Sequence, residues 1–454
     1  MRNAMKKRSF RAILILLLCG LLMLSGCTRS QINYQIAEAI GTDGKYENNE
    51  PVETPKMAEK RKLLEESESE EATLLEYLSE AEKLAQGYNY EEAISVLNMI
   101  PLIQARDPRV SEARERYEKG DTGLVNWSDG DIPHLCFPTL IYDTTMAFDG
   151  DDRASEYNTT MVTCKEFRDI LQSLYDNGYI LIDIHSIAKM VTDDRGTTSM
   201  EVQTLKLPDG KRPIVLSQDN LNYSTVRSGD GIAERLVLDE DGKVKAQYTD
   251  SEGHDAVRDY DFIPILDSFI EEHPDFSFRG ARGIVSVSGS EGVFGYRVAS
   301  PSDAASDSSG QEEAAMSSQG DNATIAAIAN ALTSEGWSIA CAGWSHGYMN
   351  DLSMEQFTKE IDDWLKYVGS QTGPADILFY PYGAEVEYPG EKLNYLVEHG
   401  FHYLCGLWGD TDFREMGDLY MRMTRRFVDG YTLINAPVYF KGFFEASSLI
   451  DSDR

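Results

Sequence analysis

The sequence predicts an α/β fold: a (β/α) barrel preceded by a small all-α module. Three observations carry that expectation. Short apolar or β-branched runs alternate with amphipathic stretches from about residue 129 to residue 446. No polar linker splits the alternation into halves. Several apolar runs break abruptly into polar or glycine-bearing residues. Strands that alternate with helices imply a parallel sheet. Unbroken alternation favours a closed barrel over two Rossmann halves.

The elements are read in order. Lys6, Lys7, Arg8 and Arg11 precede an apolar run from Ala12 to Leu24, too short for an ordinary spanning helix. The run closes on Leu24-Ser25-Gly26-Cys27, which resembles a bacterial lipobox. The expectation is a signal peptide over 1–26, lipidation of Cys27, and a protein held outside the cell membrane by that lipid anchor. Residues 27–56 are polar and aperiodic and read as a tether. From 57 to 120 the pattern is helical. Leu74, Leu75, Leu78, Ala81, Leu84 and Ala85 share one face, and Gly87 stops the run. A second helix follows from Tyr90 to Pro101. A third starts at Pro108, a residue permitted in the first turn. The pair around Gly87-Tyr88 resembles a single tetratricopeptide-type unit. It reads either as a docking module for a protein partner or as a stalk packed on the main domain.

The barrel strands are expected at Ile132–Phe137, Tyr179–Ile184, Pro213–Gln218, Ala281–Ser288, Trp337–Cys341, Ile377–Tyr380, Tyr403–Cys405 and Tyr431–Ile434. Helices are expected at Cys164–Asn177, Phe262–Glu272, Ile325–Glu335, Met354–Tyr367 and Leu393–His399. Two insertions interrupt the series. Asp241-Gly242 between apolar runs marks a β-hairpin within 224–258. Residues 299–322 are rich in Ser, Asp, Ala and Gln and read as a disordered loop.

The chain has 454 residues and a formal net charge of −34. Such a charge argues against nucleic-acid binding. Cys136, Cys164, Cys341 and Cys405 form no C-x-x-C pair, which excludes a zinc ribbon. They read as four buried thiols, with disulfides permitted outside the cell.

Catalytic groups in such folds sit at the carboxyl ends of strands. Four stretches fall there: Phe137-Pro138-Thr139, Ser217-Gln218-Asp219-Asn220, Cys341 through His346, and Tyr380-Pro381-Tyr382-Gly383. An Asp-Asn pair there is either a site or an Asx turn that ends the strand. In order and spacing the four stretches resemble the polysaccharide deacetylase family, also called the NodB-homology or carbohydrate esterase 4 family. That resemblance covers about Ile132 to Ala436 and implies a distorted (β/α) barrel of the NodB type. It implies a metal-dependent hydrolase that removes acetyl groups from N-acetylated amino-sugar glycans of the cell envelope. A divalent metal, usually zinc, would lower the pKa of a bound water, and a carboxylate would accept its proton.

The resemblance places Asp219 at the base position. The metal positions fall on Asn220 and His346, a weakened set. In the preferred register Ala342 stands at the first histidine position and His346 at the second. The competing register puts His346 first and Asn350 second. Pro138 stands where many relatives have histidine, no histidine follows His402, and the arginine often found before Tyr380-Pro381-Tyr382-Gly383 is absent. Tyr382, Pro381, Trp344 and Tyr223 are the expected glycan-binding residues, with core packing as the alternative for each aromatic. His346 has its own alternative, a structural histidine. The implied outcomes are an altered hydrolase, a glycan-binding pseudoenzyme, or a scaffold that recruits a partner through its helical module.

Overall fold

The computed structural model describes residues 46–47, 50–51, 55–128, 130–298, 311–408 and 412–454, with helix geometry alone over 311–320. The signal peptide, Cys27 and nearly all of the tether lie outside the described residues. The chain divides into two units, 1–76 and 77–454.

Helix α1 (Pro55–Gln86) begins in the first unit and ends in the second. Its first half is highly charged, with Arg61–Glu65 at 2.9 Å and Lys62–Glu66 at 3.7 Å one turn apart. In the second unit α2 (Tyr90–Met99) and α3 (Pro108–Thr122) follow. Asp107 caps α3 by accepting from the Arg109 N–H at 2.9 Å, and Pro108 fills its first turn. Ala93, Val96, Leu97, Val110, Ala113 and Tyr117 are the buried faces. Small residues at Ala81, Ala85, Ala93 and Ala113 leave room for close packing of these helices.

The barrel strands are β1 (His134–Phe137), β3 (Arg212–Gln218), β7 (Ile284–Val287), β8 (Ser338–Cys341), β9 (Ile377–Phe379), β10 (Tyr403–Leu407) and β12 (Met421–Phe427). All neighbours in this ring are parallel, and β12 closes it by pairing Arg426 with Leu135 and Phe427 with Cys136 of β1. An eighth strand, β2 (Tyr179–Leu181), pairs only with the first half of β3 and reaches Ser277 by a single bridge. It wedges between β3 and β7 at the floor, while Ser217 and Gln218 of β3 pair directly with β7 nearer the mouth. This wedge is the distortion of the barrel.

Period-two alternation sorts the side chains. Leu135, Phe137, Ile214, Leu216, Val285, Val287, Leu378 and Leu404 face out and pack under the helices α4 (Cys164–Asp176), α5 (Phe262–Glu272), α6 (Gln311–Ser334), α7 (Met354–Asp363) and α8 (Glu391–Glu398). Val215, Ile284, Ala340, Phe379, Tyr403, Cys405, Met421 and Met423 face in and fill the barrel. Thr163 and Ser353 start α4 and α7 with capping boxes.

The insertion at 224–258 is richer than a hairpin. Strands β4 (Arg235–Leu238), β5 (Val244–Thr249) and β6 (Asp255–Arg258) form a three-stranded antiparallel sheet, with Leu238 opposite Val244 across the expected Asp-Gly turn. Three expectations need correction. Helix α6 begins at Gln311, so the second half of the expected loop 299–322 is helical, and 299–310 lie outside the described residues. Tyr431–Ile434 is not a strand but part of helix α9 (Gly430–Asn435), capped by Asp429. The closing strand is β12, with β11 (Arg414–Met416) antiparallel beside it. Cys136, Cys164, Cys341 and Cys405 are buried free thiols, as read from the sequence.

Candidate functional site at the barrel mouth

The mouth is built on the inward face of β3. Val215, Ser217 and Asp219 climb that face in steps of two. Ser217 Oγ and His134 Nε2 lie 2.7 Å apart in the sealed layer below. Asp219 above them keeps only 11% of its side chain exposed. Its Oδ1 accepts from Ser286 Oγ at 2.8 Å and lies 3.5 Å from Nη1 of Arg425. Burial pushes the Asp219 carboxyl up, but Arg425, His346 and Ser286 outweigh it and leave its pKa below the ordinary carboxylate value. Asp219 is therefore ionised at neutral pH.

Arg425 is the site residue that the sequence reading missed. It sits on β12 in line with Met421 and Met423, on the face that points into the barrel. Its side chain is 0% exposed. Nη1 donates to Cys136 Sγ, Nη2 to the Tyr380 carbonyl and Nε to the Gly406 carbonyl at 3.3–3.4 Å, and the guanidinium lies 4.0 Å from the Phe379 ring. Ser286 and Ser288 of the β7 region were also missed. Alternation along Ile284-Val285-Ser286-Val287-Ser288 was the available signal, since it turns both hydroxyls inward.

Asn220 ends the strand with a left-handed backbone, φ 47°, a conformation asparagine tolerates. Its N–H donates to Ser286 Oγ at 2.8 Å, and its Oδ1 accepts from Ser288 Oγ at 2.7 Å. Ala342 comes directly after β8, its N–H donates to the Val287 carbonyl at 3.1 Å, and its methyl group is buried. His346 has φ 54°. Its Nε2 is buried without a hydrogen-bond partner among the described residues. Burial lowers the His346 pKa, Asp219 pulls it back up, Arg425 opposes, and the net is below the usual value. The loop before it is fixed from α7: the Ser345 N–H donates to Glu360 Oε1 at 2.5 Å.

The expected glycan-binding residues divide. Tyr382 (φ 55°) is 57% exposed, stacks on Tyr348 at 4.6 Å between ring centroids, and meets the His346 ring edge-on at 5.0 Å. Pro381 is buried beneath it as the start of the turn. Trp344 is half-buried, packed against Tyr367 at 5.4 Å and lying over Gly289, where an added Cβ would come within 2.2 Å of the indole. Trp344 is a structural anchor. Tyr223 is buried, and its hydroxyl donates to Asp261 Oδ2 at 2.6 Å. It is a core residue, because Asp261 is fully buried and needs donors from Tyr223, Gln218 and the Leu140 N–H.

A resident zinc of the kind the resemblance implies does not fit these residues. The Asn220 oxygen is neutral and engaged by Ser288. Ala342 offers no donor. Asp219 is held by Arg425 and Ser286. His346 Nε2 is buried and without a hydrogen-bond partner among the described residues. Among the described residues no group of three His, Cys, Asp or Glu side chains converges to hold a metal ion. Asn220 and His346 alone fall short of the three protein ligands that catalytic zinc sites use.

Residues 311–404 match the family model described as polysaccharide deacetylase. The match includes Ala342, His346 and Tyr380 through Gly383, whereas Asp219 and Asn220 precede it. Over that segment, which carries β8, β9 and the mouth loops after them, the chain is similar to polysaccharide deacetylases. Among solved structures, a Streptococcus pyogenes deacetylase, PplD, in complex with acetate is 12% identical with a TM-score of 0.35, over 67% of this chain and 94% of that one. The BpsB deacetylase domain from Bordetella bronchiseptica is 13% identical with a TM-score of 0.34, over 66% of this chain and 98% of that one. No curated protein matches.

Proposed function

We propose that this protein is an envelope-glycan-binding member of the polysaccharide deacetylase family in which metal-dependent amide hydrolysis is lost. The observation that carries the reading is the donor set at the mouth: a neutral, engaged Asn220, a methyl group at Ala342, and one imidazole. Beside it the Tyr348–Tyr382 pair remains stacked and open to solvent, a platform of the kind that sugar faces use. The place of Ala342, buried directly after β8 and bonded to the end of β7, supports the register that sets Ala342 and His346 at the two histidine positions. Lipidation at Cys27 and recruitment of a protein partner through 57–120 belong to the same proposal and rest on the sequence.

The test measures two quantities on the same protein: acetate released from N-acetylglucosamine oligomers in the presence of zinc or cobalt, and affinity for those oligomers. Binding without acetate release is expected. A second reading, an altered but live hydrolase, is favoured by one observation, the Asp219 carboxyl held between Arg425 and Ser286. Acetate release abolished by Asp219→Asn would establish that reading instead. Asn220→Asp with Ala342→His is expected to raise zinc affinity by orders of magnitude, read by metal titration. No gain would show that the register of the second motif is wrong.

A further inference from the structure

The barrel floor carries a second polar feature, at the opposite end from the mouth. A cavity of about 430 Å³ opens between the turn after β2, the hairpin 188–202 and the loop before β7. That volume is in the range of small-ligand sites. Asp183, His185, Lys189, Lys206, Phe278 and Arg279 are among its walls.

The charges there are arranged unequally. His185 lies between two carboxylates. Its Nδ1 is 2.7 Å from Asp183 Oδ1, and its Nε2 is 3.1 Å from both oxygens of Asp376. Burial alone would lower the imidazole pKa, but the hydrogen bonds to Asp183 and Asp376 raise it to about 10. His185 is thus cationic at neutral pH and engages Asp183, the carboxylate that lines the cavity.

The cations are less engaged. The side chains of Lys189 and Lys206 make no hydrogen bond or ion pair among the described residues, although the charge of Lys189 reaches Asp183, and both are exposed. Arg279 has φ 56°; its N–H donates to the Gly87 carbonyl at 2.6 Å, which fixes the loop. Its guanidinium lies 3.7 Å from Asp121 and 5.3 Å from the centroid of the Phe278 ring. A chain with net charge −34 has gathered three cations around one concave surface. Concave walls of low dielectric focus such a field and concentrate a counter-ion.

We infer that this floor cavity is a binding site for an anionic oxygen group, a phosphate or a carboxylate, held by Lys189, Lys206 and Arg279 against the Phe278 wall. His185 acts as a positioning residue that draws Asp183 away from the ligand. The inference is independent of the glycan reading, because no residue is shared with the mouth.

The experiment titrates the purified full-length chain by calorimetry at low salt with inorganic phosphate, succinate and a short glycerol phosphate oligomer. Saturable single-site binding is expected, weakening as salt rises. Tighter binding of the oligomer than of free phosphate identifies a polymer source; equal binding identifies free phosphate; preference for succinate identifies a carboxylate. Lys189→Glu with Lys206→Glu is expected to weaken binding by about tenfold or more. Both side chains are exposed, so the melting temperature should hold. Arg279→Asn, which keeps a residue tolerant of a left-handed backbone, gives an independent second variant with the same expected loss. Absence of saturable binding for every probe, or unchanged affinity in both variants, overturns the inference.

Discussion

The two ends of the barrel treat their histidines in opposite ways. At the floor His185 has both ring nitrogens engaged by carboxylates. At the mouth His346 keeps a buried Nε2 with no partner among the described residues, on a left-handed backbone. Left-handed backbone occurs at both ends, since Arg279 at the floor has φ 56°. Asn220, Tyr223, His346 and Tyr382 all have positive φ and all follow the carboxyl ends of strands. Strain and unmet hydrogen bonds cost stability and persist where the surroundings over-determine them, commonly at functional sites. The difference teaches that the mouth still has the form of a site although its metal ligands do not fit. The polar groups of the floor triad, by contrast, hold structure together at the edge of an open cavity.

The largest effect tests the mouth from inside. Arg425→Met leaves Asp219 buried without its cation and is expected to cost about 3–5 kcal/mol in urea unfolding. Adding Asp219→Asn should recover much of that loss. Full stability of the single variant would mean that the pair is already neutralised by other groups.

The next effect belongs to the floor. His185→Gln leaves Asp183 and Asp376 facing each other with weaker donors and is expected to cost about 1–3 kcal/mol. The pH dependence sharpens it. The folded pKa of about 10 lies above the ordinary 6.5, so the folded state holds the proton more tightly. The contribution of His185 is therefore fully present below about pH 6.5 and lost as pH rises through about 10. The stability difference between wild type and His185→Gln should shrink across that window. A constant difference would remove the charged triad from the account.

The smallest effect on stability is expected at Tyr382. Its ring is exposed, so Tyr382→Ala should change unfolding by no more than about 0.5 kcal/mol. Its effect on glycan affinity should be larger, about tenfold, through loss of the stacked pair. A large loss of stability with unchanged affinity would reassign the tyrosine pair to the fold.

Strands such as Pro213–Gln218 were legible because both faces are buried and the run is continuously apolar until Asp219. The closing strand was not. Met421-Arg422-Met423-Thr424-Arg425-Arg426-Phe427 carries three arginines, and its inward methionines are too few to outweigh them. Missing it led to Tyr431–Ile434 being read as the last strand, and it hid Arg425 from the site. The absence of arginine before Tyr380 was legible, but the buried guanidinium that reaches the Tyr380 carbonyl comes from a distant strand, and no local spacing reveals that. Tyr223 was misplaced for a related reason. The fully buried Asp261, whose carboxyl is pushed up to about 6 by burial, lies at the cap of α5, and its demand for donors is a tertiary fact. Asp219, Asn220, His346 and Tyr382 stood out because each falls just past the carboxyl end of an apolar run, and those runs are barrel strands.

The most direct test of the central claim is the metal content of the purified full-length chain, measured by elemental analysis after loading with zinc, nickel or cobalt and removal of free ion. The donor set at the mouth predicts well under one ion per chain at every loading, and the same value in His346→Ala. One ion per chain, lost in His346→Ala, would contradict the account and restore metal-dependent chemistry to the mouth.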